Sequence, residues 1–303
     1  DLAELATRID WTPFFRTCEL AGVYPALLDD PAVGQSARGL HIDVKALLEK
    51  IIAEKWLTAR AVIGFFPANS VGDDIELDME WDGSNAPRQL HFLRQQMAKR
   101  PGRANRCLAD FIAPKETGLT DYVGGFAVTA GIAIDEQVAE FKAANDDYSE
   151  ILLKARADRL AEAFVERMHE RVRTEFWGYA KDEKLDNDQL IREAYQGIRP
   201  APGYPACPDH GAKPDLFSLL GAEAKTGIHL TEGYAMLPTA AVSGFYFAHP
   251  QAKYFGLGKI GRDQVEDYAR RIGESIEDTE RRLAPNIAYD RAYTPVIFSC
   301  RIC

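Results

Sequence analysis

The feature that most constrains this chain is RPAPGYPACPDH, residues 199–210, in which Pro200, Pro202, Pro205 and Pro208 fall within nine residues. Each proline lacks an N–H and pushes the preceding residue toward extended backbone, so Arg199, Ala201, Tyr204 and Cys207 cannot belong to a helix. A central strand is excluded for the same reason. What remains is a stiff track whose conformation is fixed before anything binds, which lowers the ordering cost of holding a small polar ligand. Arg199 offers a planar fork that fits a carboxylate, and Tyr204 offers an aromatic face with a hydroxyl. A rigid loop lying over a core, with Arg199 paired to a local acid, fits the same residues.

Around the track the pattern alternates between strands and long helices. ARAVIGFFPA (59–68) reads as a buried strand. DIELDMEW follows a turn at NSVGDD, and Ile75, Leu77 and Met79 alternate with acids, which predicts a half-exposed hairpin partner. FAVTAGIAI (126–134), Val242–Ala248 and Tyr254–Leu257 read as further strands. Helices are predicted over Pro13–Leu20, Val44–Trp56, Asp135–Trp177 with a break near Asn145–Asp147, Asp188–Ile198 capped by Asn187, and Asp263–Leu283. Phe164, Met168, Val172 and Phe176 recur every four residues and should share one core-facing stripe. Hairpin-like strands beside separate helices predict an α+β fold with a mainly antiparallel sheet, not a doubly wound parallel one.

The chain has 303 residues, a size suited to one large domain or two intimate ones, and carries a formal charge of −10. That charge disfavours nucleic-acid binding, and no apolar run approaches the roughly 18 residues of a membrane span. Five scattered cysteines suit reduced thiols and a cytoplasmic location; Cys300 and Cys303 form a terminal C-x-x-C without a strand-to-helix context, read as an inert tail. The chain begins at Asp1, which suggests a fragment of something longer.

No metal is expected. Cys207-x-x-His210 lacks two further ligands at zinc spacing, and His229 and His249 stand alone. There is no G-x-G-x-x-G between a strand and a helix and no Walker loop, and Gly124-Gly125 opens a strand, so an ordinary Rossmann methyltransferase is disfavoured. No catalytic acid–base dyad stands out. Asp10 or Thr12 reads first as a helix cap. Glu162 and Glu193 read first as part of a solvated helix face. Tyr254 and Phe255, consecutive on a presumed strand, should point to opposite faces.

In order along the chain, IDWTPFF (9–15), GVYPALL (22–28), GFFPANSVGDDIEL (64–77), LHFLRQQ (90–96), CLADFIAP (107–114), DYVGGFAVTAG (121–131), RPAPGYPACPDH (199–210) and SGFYFAHPQAKYF (243–255) resemble the reactivation domain of cobalamin-dependent methionine synthases. The resemblance implies a single C-shaped α+β domain over 1–289, with 290–303 left as an unassigned tail. It implies that S-adenosylmethionine lies along the proline track, held by Arg199 at its carboxylate, by Ala201 through backbone contacts, and by Tyr204. Asp10 would bind polar groups, Tyr254 and Phe255 would close the site, and Glu162 and Glu193 correspond less securely. Cobalamin would be bound by a separate domain, since D-x-H-x-x-G is absent here, and a flavodoxin or a diflavin reductase would donate the electron. Cys18 stands where the family commonly has tryptophan, and Phe255 can be tyrosine in relatives. A stand-alone methyltransferase with an organic acceptor, or a docking module with a lapsed site, are the rival readings.

Overall fold

In a computed structural model of the chain, described over residues 1–78 and 88–290, strands and helices combine in an α+β fold, as the pattern predicts. The five strands of the main sheet run β3-β2-β1-β4-β7, every neighbouring pair antiparallel: β1 Thr58–Val71, β2 Asp74–Leu77, β3 Arg88–His91, β4 Asp121–Ile132 and β7 Ala241–Tyr246. A small ladder of β5 His229–Leu230 and β6 Met236–Leu237 stands apart. Side chains alternate across a strand, and here both faces are covered. Phe126 and Val128 of β4 meet Val165, Met168 and Val172, whereas Ala127 joins Leu216, Leu220 and Phe245 on the opposite face. This double cover explains why FAVTAGIAI reads as a continuous apolar run. Gly124 and Gly125 lie inside β4, where a Cβ would come within 2.8 Å of Tyr246 Cβ and of Leu216 Cδ1 respectively.

The helices are α1 Leu2–Ala6, α2 Thr12–Thr17, α3 Gly34–Glu54, α4 Ile134–Ala143, α5 Asp147–Arg171, α6 Asn187–Ile191, α7 Lys213–Leu220, α8 Ala222–Thr226, α9 Arg262–Ile272 and α10 Ile276–Arg282. The predicted break at 145–147 separates α4 from α5, where Asp146 accepts from the Ser149 N–H as an N-cap. Along α5, Leu153, Ala157, Leu160 and Ala161 pack toward α1, α3 and α4.

Several expectations fail for identifiable reasons. Val172–Phe176 is a π-turn, with Trp177 N–H donating to Val172 C=O at 3.0 Å. The wider turn shifts the stripe's last member, so Phe176 is exposed beneath the Arg171 guanidinium instead of buried. α6 ends at Ile191, not Ile198. Its N-cap is Asp186, in a reciprocal box with Gln189, instead of Asn187. Glu193 then takes a left-handed φ of 55°, and Ile198 bridges Phe247. Tyr254–Leu257 is not a strand; Leu257 N–H donates to Pro205 C=O, so this segment is tied to the proline track. The helix expected over 263–283 is two helices, broken at Gly273 with φ 72°. β2 is almost wholly buried rather than half-exposed, because Asp74 is paired by Arg271 and His91. Met79 and the Cys300/Cys303 pair lie outside the described residues. Among the described residues no helix is long and apolar enough to cross a membrane.

Candidate functional site

The proline track lies beside β7, exchanging hydrogen bonds with it. Ile198 and Phe247 trade N–H and C=O at 3.0 Å, and Phe245 N–H donates to Pro200 C=O at 2.9 Å. The track's own N–H groups turn inward. Tyr204 N–H reaches Ala201 C=O, Cys207 N–H reaches Tyr204 C=O, and Gly203 N–H reaches Cys207 C=O at 2.7 Å. Gly203 is required here. Its φ is +99°, and a Cβ would stand 2.1 Å from the His210 ring.

Between the track and α5 opens a cavity of about 750 Å³, a size suited to a small ligand. It is bordered on one side by the Asp10–Pro13 segment and on another by the loop carrying Tyr254 and Phe255. Asp10, Glu162, Glu193, Arg199, Ala201, Tyr204, Tyr254 and Phe255 all line it. Both bland readings also leave traces. Asp10 Oδ1 accepts from Thr12 N–H at 2.9 Å at the start of α2, and Arg199 is paired to an acid, though a distant one in sequence. Tyr254 and Phe255 both border the cavity instead of facing opposite ways, because their segment is a loop and not a strand.

Arg199 is the electrostatic centre. Its Nη2 lies 2.8 Å from Glu166 Oε2, and its backbone N–H donates to the Tyr254 hydroxyl at 3.0 Å. Burial opposes the guanidinium charge, but Glu166 and the neighbouring tyrosine hydroxyls outweigh it and keep the group firmly cationic. Arg199 Nε and Glu166 Oε1 are buried and have no partner among the described residues. Unmade hydrogen bonds of this kind are costly in a closed protein and mark places where a ligand can complete the set. The Ala201 N–H is likewise unspent among the described residues.

The remaining groups divide by charge and by ring. Tyr204 hydroxyl approaches Glu162 Oε1 at 3.4 Å, and that carboxylate, with burial, pushes the phenol's pKa up. Burial pushes the Glu193 carboxyl up, against the pull of Arg199. Sequence reasoning missed Glu166, together with Arg8, Arg159 and Tyr195, which also line the cavity. The available signal was the helical spacing of Arg159, Glu162 and Glu166, which puts all three on one side of α5. Among the described residues no group of three or more His, Cys, Asp or Glu side chains is placed to hold a metal. Burial raises the Cys207 thiol well above its ordinary pKa.

An α+β domain built on an antiparallel sheet, with an arginine-centred cavity along a proline track, matches a known class. The family model described as the vitamin B12-dependent methionine synthase activation domain matches residues 1–273, and the chain belongs to that family. Among solved structures, it is similar to a crystal structure of the MetH reactivation domain bound to AdoHcy, at 54% identity and a TM-score of 0.91. The match covers 96% of this chain and 89% of that one.

Proposed function

We propose that the cavity binds S-adenosylmethionine and presents its methyl group for the reductive methylation of inactive cob(II)alamin carried by a neighbouring domain. The observation that carries this reading is the half-satisfied Arg199–Glu166 pair on the cavity wall, one buried donor beside one buried acceptor. Such a pair suits the carboxylate and ammonium of an amino-acid end. The MetH relative is bound to AdoHcy, which is the same molecule less the transferable methyl.

In this reading Arg199 takes the carboxylate, and Ala201 N–H supplies a backbone donor. Asp10, Glu162 and Glu193 face the ligand's polar and cationic parts. A carboxylate near a sulfonium in a partly dry cleft stabilises the charge more than it would in water. Tyr204, Tyr254 and Phe255 cover the apolar and aromatic portions. The acceptor is the cobalt of the neighbouring domain's cobalamin, which supplies the nucleophile once a flavodoxin or a diflavin reductase has delivered an electron. This chain's residues move no proton, because the leaving thioether is neutral; their contribution is to fix the donor in one orientation. The isolated chain binds the donor but does not turn over alone, and it works in the cytoplasm. Residues 1–289 form the working unit.

Titration calorimetry on the purified chain tests this. Wild type binds S-adenosylmethionine, and Arg199→Ala weakens binding by about 100-fold, as expected when a buried charge partner worth roughly 2–5 kcal/mol is removed. No heat from the wild type, or undiminished affinity in the variant, sinks the reading.

A further inference from the structure

Unlike Arg199, a second buried arginine, under α2 and outside the cavity lining, has no carboxylate partner among the described residues. Arg156 of α5 is wholly buried, and its Nε, Nη1 and Nη2 have no hydrogen-bond partner among the described residues. Its guanidinium carbon sits 4.7 Å from the Trp11 ring centroid and 4.6 Å from that of Phe14. His41 stands edge-on to the same Trp11 ring at 5.1 Å, and its Nε2 is also buried and unpartnered. The charged groups that act on these two are further cations: Arg159 on Arg156, and Lys45 and Arg156 on His41. Among the described residues no carboxylate forms an ion pair with either. The ionisable group of opposite type is Cys18, and burial raises its thiol pKa, so at neutral pH it brings no negative charge.

A guanidinium stripped of water needs an anion, because arginine does not give up its proton readily and aromatic faces offset only part of the lost hydration. Among the described residues no such anion stands here, which points to a counter-charge taken from solution. Trp11, Phe14, Phe15 and Leu152 belong to one apolar cluster here, which favours a small, weakly hydrated counter-ion over a larger or more highly charged one. We propose that Arg156, assisted by His41, forms a binding site for a small monovalent anion, chloride in the cell, between α2, α3 and α5. The site is separate from the ligand cavity and does not depend on what that cavity binds. Its position gives it a structural role. Trp11 directly follows Asp10, so an anion at Arg156 helps hold the segment that borders the cavity.

Thermal unfolding of the wild-type chain in chloride and in gluconate, at equal ionic strength, tests the site. Chloride should raise Tm saturably by about 2–4 °C over gluconate. Arg156→Met, which keeps the bulk and removes the charge, should abolish the difference between the two salts. Equal Tm values for the wild type in both salts overturn the proposal, and so does an undiminished difference in the variant. If Arg156→Met does not fold, bromide-soaked wild-type crystals decide. An anomalous peak against the Arg156 guanidinium supports the site, and its absence there overturns it.

Discussion

Glu166 grips Arg199 with one carboxylate oxygen, 2.8 Å from Nη2, and keeps its other oxygen buried without a partner among the described residues. The pair therefore holds the guanidinium by one oxygen and leaves the other as an open acceptor, the place the proposed ligand's ammonium would take. Glu166→Gln keeps the shape and removes the charge. S-adenosylmethionine affinity should fall by about 10- to 100-fold, the range of a charge-assisted hydrogen bond. Calorimetry checks this, and unchanged affinity would show that Arg199 is positioned by the track alone.

The proline track should be intolerant at its one left-handed glycine. Gly203→Ala puts a methyl 2.1 Å from His210 Cε1 in a backbone conformation that alanine disfavours. Overpacking and strain together predict a loss of about 2–4 kcal/mol in urea unfolding. Gly39, in the middle of α3 with nothing within 4 Å of its added Cβ, is the contrasting site. There the alanine variant should gain about 0.5–1 kcal/mol.

Behind Arg199, Arg173 is fully buried and makes a forked contact with Glu183 at 2.7–3.0 Å, while its guanidinium lies 4.2 Å from the Tyr195 ring centroid. Removing one partner of such a pair strands the other. Glu183→Gln should cost about 3–5 kcal/mol in chemical denaturation. Tyr195 lines the same cavity, so S-adenosylmethionine affinity, if the cavity is its site as proposed, should weaken alongside stability.

Stability should fall on mild acidification. Burial, with Arg173 and Arg199 nearby, holds the His169 pKa well below 6.5 in the folded chain, and burial lowers His41 and His210 in the same direction. Below about pH 6.5 the unfolded state takes up protons that the folded state refuses, so unfolding becomes easier as pH drops through that range. The contribution is fully present above 6.5. Denaturation free energy measured from pH 8 to pH 5 should decline, and His169→Phe should make the decline shallower. The acidic groups whose pKa values are lowered, such as Glu4 beside Arg167, act with the same sign but at lower pH.

Much of this arrangement was legible in the sequence, because period and punctuation are local. Alternation gave the hairpin of β1 and β2, and Asn145–Asp147 gave the end of α4. What the sequence hid was nonlocal. Ile198 continues the spacing of α6, yet Phe247 claims it as a bridge. Tyr254–Leu257 has strand composition, but Pro205 offers it a single carbonyl instead of a ladder. At the site, Arg199 and Tyr204 stood out because prolines surround them. Glu166 did not, since a glutamate on a charged helix carries no mark of which way it faces. Its role depends on the fold bringing residues 166 and 199 together.

The contact between the track and β7 has a consequence for the molecule's behaviour in a crowded cell. β7 ends the main sheet, and an open sheet margin invites strands from other chains. Here that margin is occupied at Ile198 and Pro200 by a segment poorly suited to pass the pairing on. Four of its residues have no N–H, and Arg199, Gly203, Tyr204 and Cys207 have already spent theirs. With most of those donors withdrawn, an incoming strand meets only a broken template beyond β7, so the prolines that border the cavity also blunt the sheet's edge against aggregation.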